Sequence, residues 1–191
     1  MRITLIRHGK TVGNLERRYI GASNVPLCPE GIREAEQARK DETLSEVFVS
    51  PLLRARQTAR ILFPNAEQRV VEDLQEMNFG DFENRTADEM ANDPAYRAWI
   101  EGYCQGACPN GESMDSFRTR VAAAFAETLR SLDADALFVV HGGVIMAVMA
   151  AFAEPKRDFY DWGAENLGGF SAEAQVSPTG IVLSDVQPVQ F

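Results

Sequence analysis

Short apolar runs punctuate the chain. Ile3–Ile6, Val47–Val49, Val70–Val71, Leu137–Val140 and Ile181–Leu183 are too short for helices and rich in β-branched residues, which predicts strands. Between them the apolar period changes from two to three and four. Met114, Phe117, Val121, Phe125, Leu129 and Leu132 share one face of a helix predicted over Ser113–Leu132. Ser50 and Pro51 read as an N-cap serine and a first-turn proline opening a second helix through Ala59, and Glu30–Leu44 and Val144–Ala153 supply two more. Strands alternating with helices predict an α/β chain, a three-layer α/β/α sandwich about a mostly parallel central sheet. Ligands of such sheets bind beyond the carboxyl ends of the strands, so function is expected just after Ile6, Val49 and Val140.

No repeat, low-complexity tract or flexible linker divides the sequence, so residues 1–191 are expected to form a single domain. The stretch from about 84 to 112 is less regular. Pro94, Gly102, Gly106, Pro109 and Gly111 break it, and it carries Tyr96, Trp99 and Tyr103, which predicts a helical excursion over the site.

Composition narrows the partners. With 45% hydrophobic and 25% charged residues, 191 residues sustain a core without disulfides or metal. A net charge of -9 opposes phosphate backbones and anionic lipid, so neither nucleic acid nor a membrane surface is expected. The run Val144–Ala153 is half the ~20 apolar residues that a bilayer span needs. The chain starts on a strand-like run without a signal-peptide core. Cys28, Cys104 and Cys108 form no even disulfide framework and, beside only two histidines, no zinc site. A reducing cytoplasm is the expected location.

The two histidines carry the chemistry. Each follows an apolar strand and precedes glycine, in Arg7-His8-Gly9 and Val140-His141-Gly142-Gly143, and so falls on the expected ligand edge. Imidazole serves as nucleophile, general base, metal ligand or donor to an anion, and the neighbours must decide among these. The neighbours are Arg7, Arg54 and Arg18. Guanidinium groups grip tetrahedral oxyanions and keep their charge, so several at one edge point to a phosphate site.

Arg7-His8-Gly9 with Thr11, Asn14, Gly21, Pro26-Leu27 and Gly31 resembles the opening signature of the histidine phosphatase superfamily, whose fold is phosphoglycerate mutase-like. Four further blocks follow in that family's order. Ser50-Pro51-Leu52-x-Arg54-Ala55-x-Gln57-Thr58-Ala59 is similar to its second arginine motif, and Leu74-x-Glu76-x-x-Phe79-Gly80-x-Phe82-Glu83 to its acid motif. Gly111-Glu112-Ser113 and Val140-His141-Gly142-Gly143 complete the set.

The resemblance implies a metal-independent phosphomonoester hydrolase without a cofactor, acting on a small phosphorylated metabolite. It makes His8 the nucleophile that becomes a phosphohistidine, with one ring nitrogen donating to a backbone carbonyl. Arg7, Arg54 and His141 would hold the phosphoryl oxygens, His141 as a cation or donor. Glu76 would be the general acid, with Glu83 as its competitor, and Asn14, Arg18 and Gly142 would contact substrate. Lys10 and Cys28 depart from the family's usual Glu or Gln and Thr. Lys10 adds positive charge near the site, and Cys28 reads as a packing or capping variation. The compact size and the acid block look most like the α-ribazole phosphatase branch or a small broad-specificity phosphatase. Mutases of this fold are expected to be longer, which leaves phosphoglycerate mutation as the alternative, ahead of non-catalytic phospholigand binding. Tyr96, Trp99, Tyr103 and Phe82 are candidates to stack on a nucleoside-like leaving group.

Overall fold

The computed structural model describes residues 1–191 throughout. Six strands form one sheet: β1 (Arg2–Arg7), β2 (Glu46–Val49), β3 (Glu67–Val70), β4 (Ala136–Val140), β5 (Gly168–Ser177) and β6 (Gly180–Gln190), in the spatial order β3-β2-β4-β1-β5-β6. The first four in that order pair in parallel, and β5 and β6 add antiparallel at one edge. The helices are α1 (Val12–Leu15), α2 (Pro29–Gln37), α3 (Leu53–Leu62), α4 (Pro94–Glu101), α5 (Met114–Arg130) and α6 (Gly142–Phe152). None is long and apolar enough to cross a membrane.

Both sheet faces are buried, as parallel strands require. On β4, Phe138 and Val140 join one apolar cluster with α5 and α6, while Val139 joins another with α3 and Ala35 of α2. Leu5 and Ile6 of β1 divide the same way. Phe138 lies between Phe48, with ring centroids 5.0 Å apart, and Phe125, at 5.3 Å.

Several element boundaries differ from the sequence reading. The second helix stops at Gln37 rather than Leu44, because the polar run Arg39–Thr43 offers no apolar face and Ala38 is already extended. The third starts at Leu53, not Pro51, with Leu52 as N-cap and no side-chain cap. The third strand ends at Val70, and β5 has no counterpart among the predicted strands. Its Gly-Gly-Phe-Ser-Ala-Glu-Ala run has little strand propensity, and pairing with β1 and β6 on either side imposes the conformation. Residues 84–112 include α4, held by an Asp93 N-cap.

Phe138→Ala is expected to cost about 3–5 kcal/mol, since it removes a ring enclosed by aromatic neighbours. The check is the urea midpoint at unchanged m-value. A cost below ~1 kcal/mol would contradict this packing.

Candidate active site

Three parallel strands deliver the site at their carboxyl ends. Arg7 closes β1 opposite Val140, and the His8 N–H donates to the Val140 carbonyl at 3.0 Å. His141 follows β4 and serves as N-cap of α6. Ser50 follows β2, and Arg54 lies in the first turn of α3. The imidazoles of His8 and His141 sit 5.1 Å apart, edge to face.

The His8 tautomer is fixed from both sides. Its Nδ1 lies 2.7 Å from the Gly9 carbonyl, which only accepts, so Nδ1 carries the proton. Its Nε2 receives the Arg54 Nε–H at 3.2 Å, and a guanidinium only donates, so Nε2 presents a lone pair. Burial, followed by the positive charges of Arg54 and Arg7, holds the His8 pKa well below its ordinary value. The imidazole is neutral.

Arg54 is wholly enclosed. Its Nη1 and Nη2 donate to the carbonyls of Ser23 and Gly21 at 2.8 and 2.7 Å, and burial pulls its pKa down to about 10, which leaves it charged at neutral pH. The Gly21–Ser23 loop is tied in turn by Glu83. That carboxylate accepts from the backbone N–H of Gly21, Ala22 and Phe79 at 2.9–3.2 Å and from the Ser23 hydroxyl at 2.6 Å. Gly21 permits the approach, since a Cβ there would lie 1.7 Å from the Met77 carbonyl oxygen.

His141 Nε2 lies 2.6 Å from Ser50 Oγ, which already accepts the Leu52 N–H. The hydroxyl can therefore donate to Nε2 and leave the imidazole proton on Nδ1, a buried atom with no partner in the chain. Burial, and then Arg54, His8 and Arg7, hold this pKa well below its ordinary value as well. Of the two roles expected of His141, cation or donor, this arrangement suits the donor, with Nδ1–H free to meet an anion. Arg7 Nη1 donates to the Ala164 carbonyl at 2.8 Å, and its buried Nε has no partner.

Glu76 faces this group from the cleft wall. Its Oε1 accepts from Met77 N–H and its Oε2 from Gly143 N–H, both at 2.9 Å. A Cβ on Gly143 would come within 2.3 Å of the carboxylate. Burial raises the Glu76 pKa, against the opposing pull of those two N–H groups and of Arg54 and Arg7.

The remaining expectations divide. Asn14 and Gly142 line the cleft with Arg7, His8, Arg54 and Glu76. The Asn14 Oδ1 accepts from Thr11 in a capping box, and its Nδ2 makes no hydrogen bond within the chain. Arg18 does not reach the cleft. It is held outside by Glu16 at 2.6 Å, Glu89 at 2.9 Å and the Asn84 carbonyl, because the acidic surface supplies closer partners. Lys10 is likewise bound to Glu30 and Glu34 and adds no charge to the site. Cys28 caps α2, its Sγ accepting from Gly31 N–H. Glu83 is a loop pin and has no capacity left to act as an acid. Tyr103 is exposed and Tyr96 and Phe82 lie behind the wall, so of the four suggested aromatics Trp99 alone lines the cleft.

Sequence reasoning missed Ser50 as the partner of His141, reading it as a helix cap. It also missed Thr58, whose hydroxyl receives the Gly9 N–H at 2.9 Å and donates to the Arg54 carbonyl at 2.7 Å. Asn166 donates to the His8 carbonyl at 2.8 Å. These groups position others; Ser50 and Thr58 stand inside the second arginine motif, which gives neither a role. No group of three or more His, Cys, Asp or Glu side chains is arranged to hold a metal ion.

The depressed histidine pKa values make stability depend on pH. Unfolded histidine titrates near 6.5. Above that pH both states are neutral and stability is full. As pH falls from 6.5 towards the folded values, the unfolded chain binds protons first and stability is lost, by up to ~1.4 kcal/mol per pH unit for each histidine. Glu76, with its raised pKa, acts in the opposite sense. Urea unfolding between pH 6.5 and 5 should give a shallower slope for His141→Asn than for the wild type, and identical slopes would contradict the assignment.

Comparison with known proteins agrees with this geometry. The profile of the histidine phosphatase superfamily (branch 1) matches residues 3–171. The adenosylcobalamin/alpha-ribazole phosphatase of Salmonella typhimurium is 32% identical over 158 residues, covering 78% of each chain. An Enterobacter protein named "Probable phosphoglycerate mutase GpmB" is also 32% identical, over 79% of this chain and 74% of that one. The alpha-ribazole phosphatase of Shigella flexneri superposes with a TM-score of 0.80 at 28% identity, covering 96% of this chain and 94% of its own. The phosphoglycerate mutase of Thermus thermophilus does so with 0.68 at 32%, covering 90% and 91%. That last coverage corrects the expectation that mutases are longer, so length does not separate the two activities. With the family profile matched over residues 3–171 and relatives 32% identical over most of its length, the chain belongs to the histidine phosphatase superfamily.

Proposed function

We propose that the chain hydrolyses the phosphomonoester of a small phosphorylated metabolite through a phosphohistidine on His8. One observation carries the reading: a neutral imidazole with its Nε2 lone pair fixed stands beside two buried donors lacking partners, Arg7 Nε and His141 Nδ1. When substrate binds, Arg54 Nε–H exchanges His8 Nε2 for a phosphoryl oxygen while its Nη groups keep the Gly21 and Ser23 carbonyls. Arg7, Arg54 and His141 then hold the non-bridging oxygens, with Asn14 and the Gly142 backbone beside them. Fixed donors of this kind stabilise charge as it develops, and no step calls for a metal.

In the first step Nε2 attacks phosphorus, the bond to the ester oxygen breaks, and protonated Glu76 gives its proton to the departing alkoxide. The Nδ1–H of the cationic phosphohistidine stays on the Gly9 carbonyl. In the second step water attacks phosphorus, Glu76 carboxylate takes its proton, and the N–P bond returns its electron pair to Nε2. The raised Glu76 pKa keeps more of the acid form available near neutral pH. Activity therefore falls as pH rises through the Glu76 pKa, and falls on the acid side only once His8 is protonated, below its ordinary range.

The names of the relatives favour α-ribazole 5′-phosphate as substrate, and the uneven set of three free cysteines supports a reducing cytoplasm as location. They also keep a phosphoglycerate mutase as the second reading. A phosphomonoester panel in EDTA is expected to release phosphate with wild type and none with His8→Ala. Glu76→Gln should slow alkyl esters about 10²–10⁴-fold and aryl esters with good leaving groups much less. Equal slowing of both would remove Glu76 as the acid. Interconversion of 2- and 3-phosphoglycerate without phosphate release would select the mutase.

A further inference from the structure

The cleft, about 380 Å³, has two chemically different ends. All of its titratable charge lies at the histidine end, in Arg7, Arg54 and Glu76. The remaining lining forms a largely apolar wall that includes Tyr19, Phe79, Trp99, Met146, Phe159 and Tyr160. Tyr19 meets Phe79 at 5.2 Å and Trp99 at 5.9 Å between centroids, both edge to face, a packing that fixes the rings before any ligand arrives.

Two of the three polar side-chain groups of that wall are already committed to the scaffold, and the third, the Tyr160 hydroxyl, stands at the exposed mouth. The Tyr19 hydroxyl bonds the Tyr96 hydroxyl at 2.9 Å, and the Trp99 Nε1–H donates to the Gly106 carbonyl at 3.1 Å. Deeper in the wall, what remains for a ligand is ring surface and the Met146 thioether. Tyr160 stands 61% exposed at the mouth, edge to face with Phe159 at 5.1 Å.

Cations are missing from this wall. Lys10, Arg18 and Arg120 are ion-paired outside the cleft, and the Arg118 guanidinium lies 5.4 Å over the Phe159 ring without lining the cavity. A substrate carrying a carboxylate or a second phosphate would bury that charge against aromatic carbon, in a cleft whose one carboxylate, Glu76, repels it. Such a group loses its water and gains no partner.

We infer that the cleft selects phosphomonoesters whose leaving group is uncharged and aromatic, and rejects substrates with a second anionic group. The inference rests on the phosphomonoesterase reading above and adds the substrate class. It also sets this chain apart from an enzyme built for phosphoglycerate, whose carboxylate finds no cation here.

The test compares kcat/KM in EDTA for naphthylethyl phosphate, ethyl phosphate and 3-phosphoglycerate, all alkyl esters without an activated leaving group. Naphthylethyl phosphate is expected to exceed ethyl phosphate at least ~10-fold, and ethyl phosphate to exceed 3-phosphoglycerate. In Trp99→Leu the naphthylethyl-to-ethyl ratio should fall about 10-fold. That ratio is taken within one preparation, so the fraction of folded enzyme cancels. Tyr160→Ala, at the exposed mouth, should lower it about threefold without disturbing the core. A ratio near one in wild type, a ratio unmoved by both variants, or 3-phosphoglycerate as the best substrate would overturn the inference while leaving hydrolysis at His8 intact. Absence of His8-dependent release from all three esters would overturn the phosphatase reading and this inference together.

Discussion

A guanidinium with no contact to solvent is the constraint around which this site is built. Burying a charge costs several kcal/mol unless the surroundings compensate. Arg54 is compensated by two backbone carbonyls, by the His8 lone pair and by the nearby carboxylates of Glu76 and Glu83. Each compensation imposes a condition elsewhere. His8 must be neutral with Nε2 bare. The Gly21–Ser23 loop must bring two carbonyls inward, which Glu83 achieves by collecting that loop's N–H groups and which Gly21 alone can accommodate against Met77. In the proposed mechanism the arginine that grips phosphate therefore also prepares the nucleophile.

The fold makes this arrangement attainable. Parallel pairing of β1, β2 and β4 brings Arg7, His8, Ser50, Arg54 and His141 to one edge, from positions far apart in sequence. The sheet is buried on both faces, so these strand ends are held by packing and the polar groups inherit that rigidity. Glu76 comes from a loop, yet Gly143 at the start of α6 fixes it by an N–H bond that leaves no room for a side chain.

Much of this is legible from sequence where residue type and physical demand coincide. An apolar strand followed by His-Gly marks a strand end that faces the ligand edge, and the apolar period of residues 114–129 sets α5 within two residues at its end. Elsewhere the deciding interaction lies between residues distant in sequence. Ser50 before Pro51 reads as a cap until His141 takes its hydroxyl. Arg18 reads as a phosphate ligand until Glu16 and Glu89 take its guanidinium. β5 has weak propensity and becomes a strand through the pairing of its neighbours. The choice between Glu76 and Glu83 needs geometry, because only the hydrogen bonds distinguish a cleft acid from a loop pin.

With only two histidines in the chain, nitrogen NMR of labelled protein reads the central claim directly. The account predicts that His8 is a neutral imidazole protonated at Nδ1, with an unprotonated Nε2, and that this signal stays unchanged as pH is lowered through 6.5. A His8 imidazole that titrates near 6.5, or that carries its proton on Nε2, would contradict it.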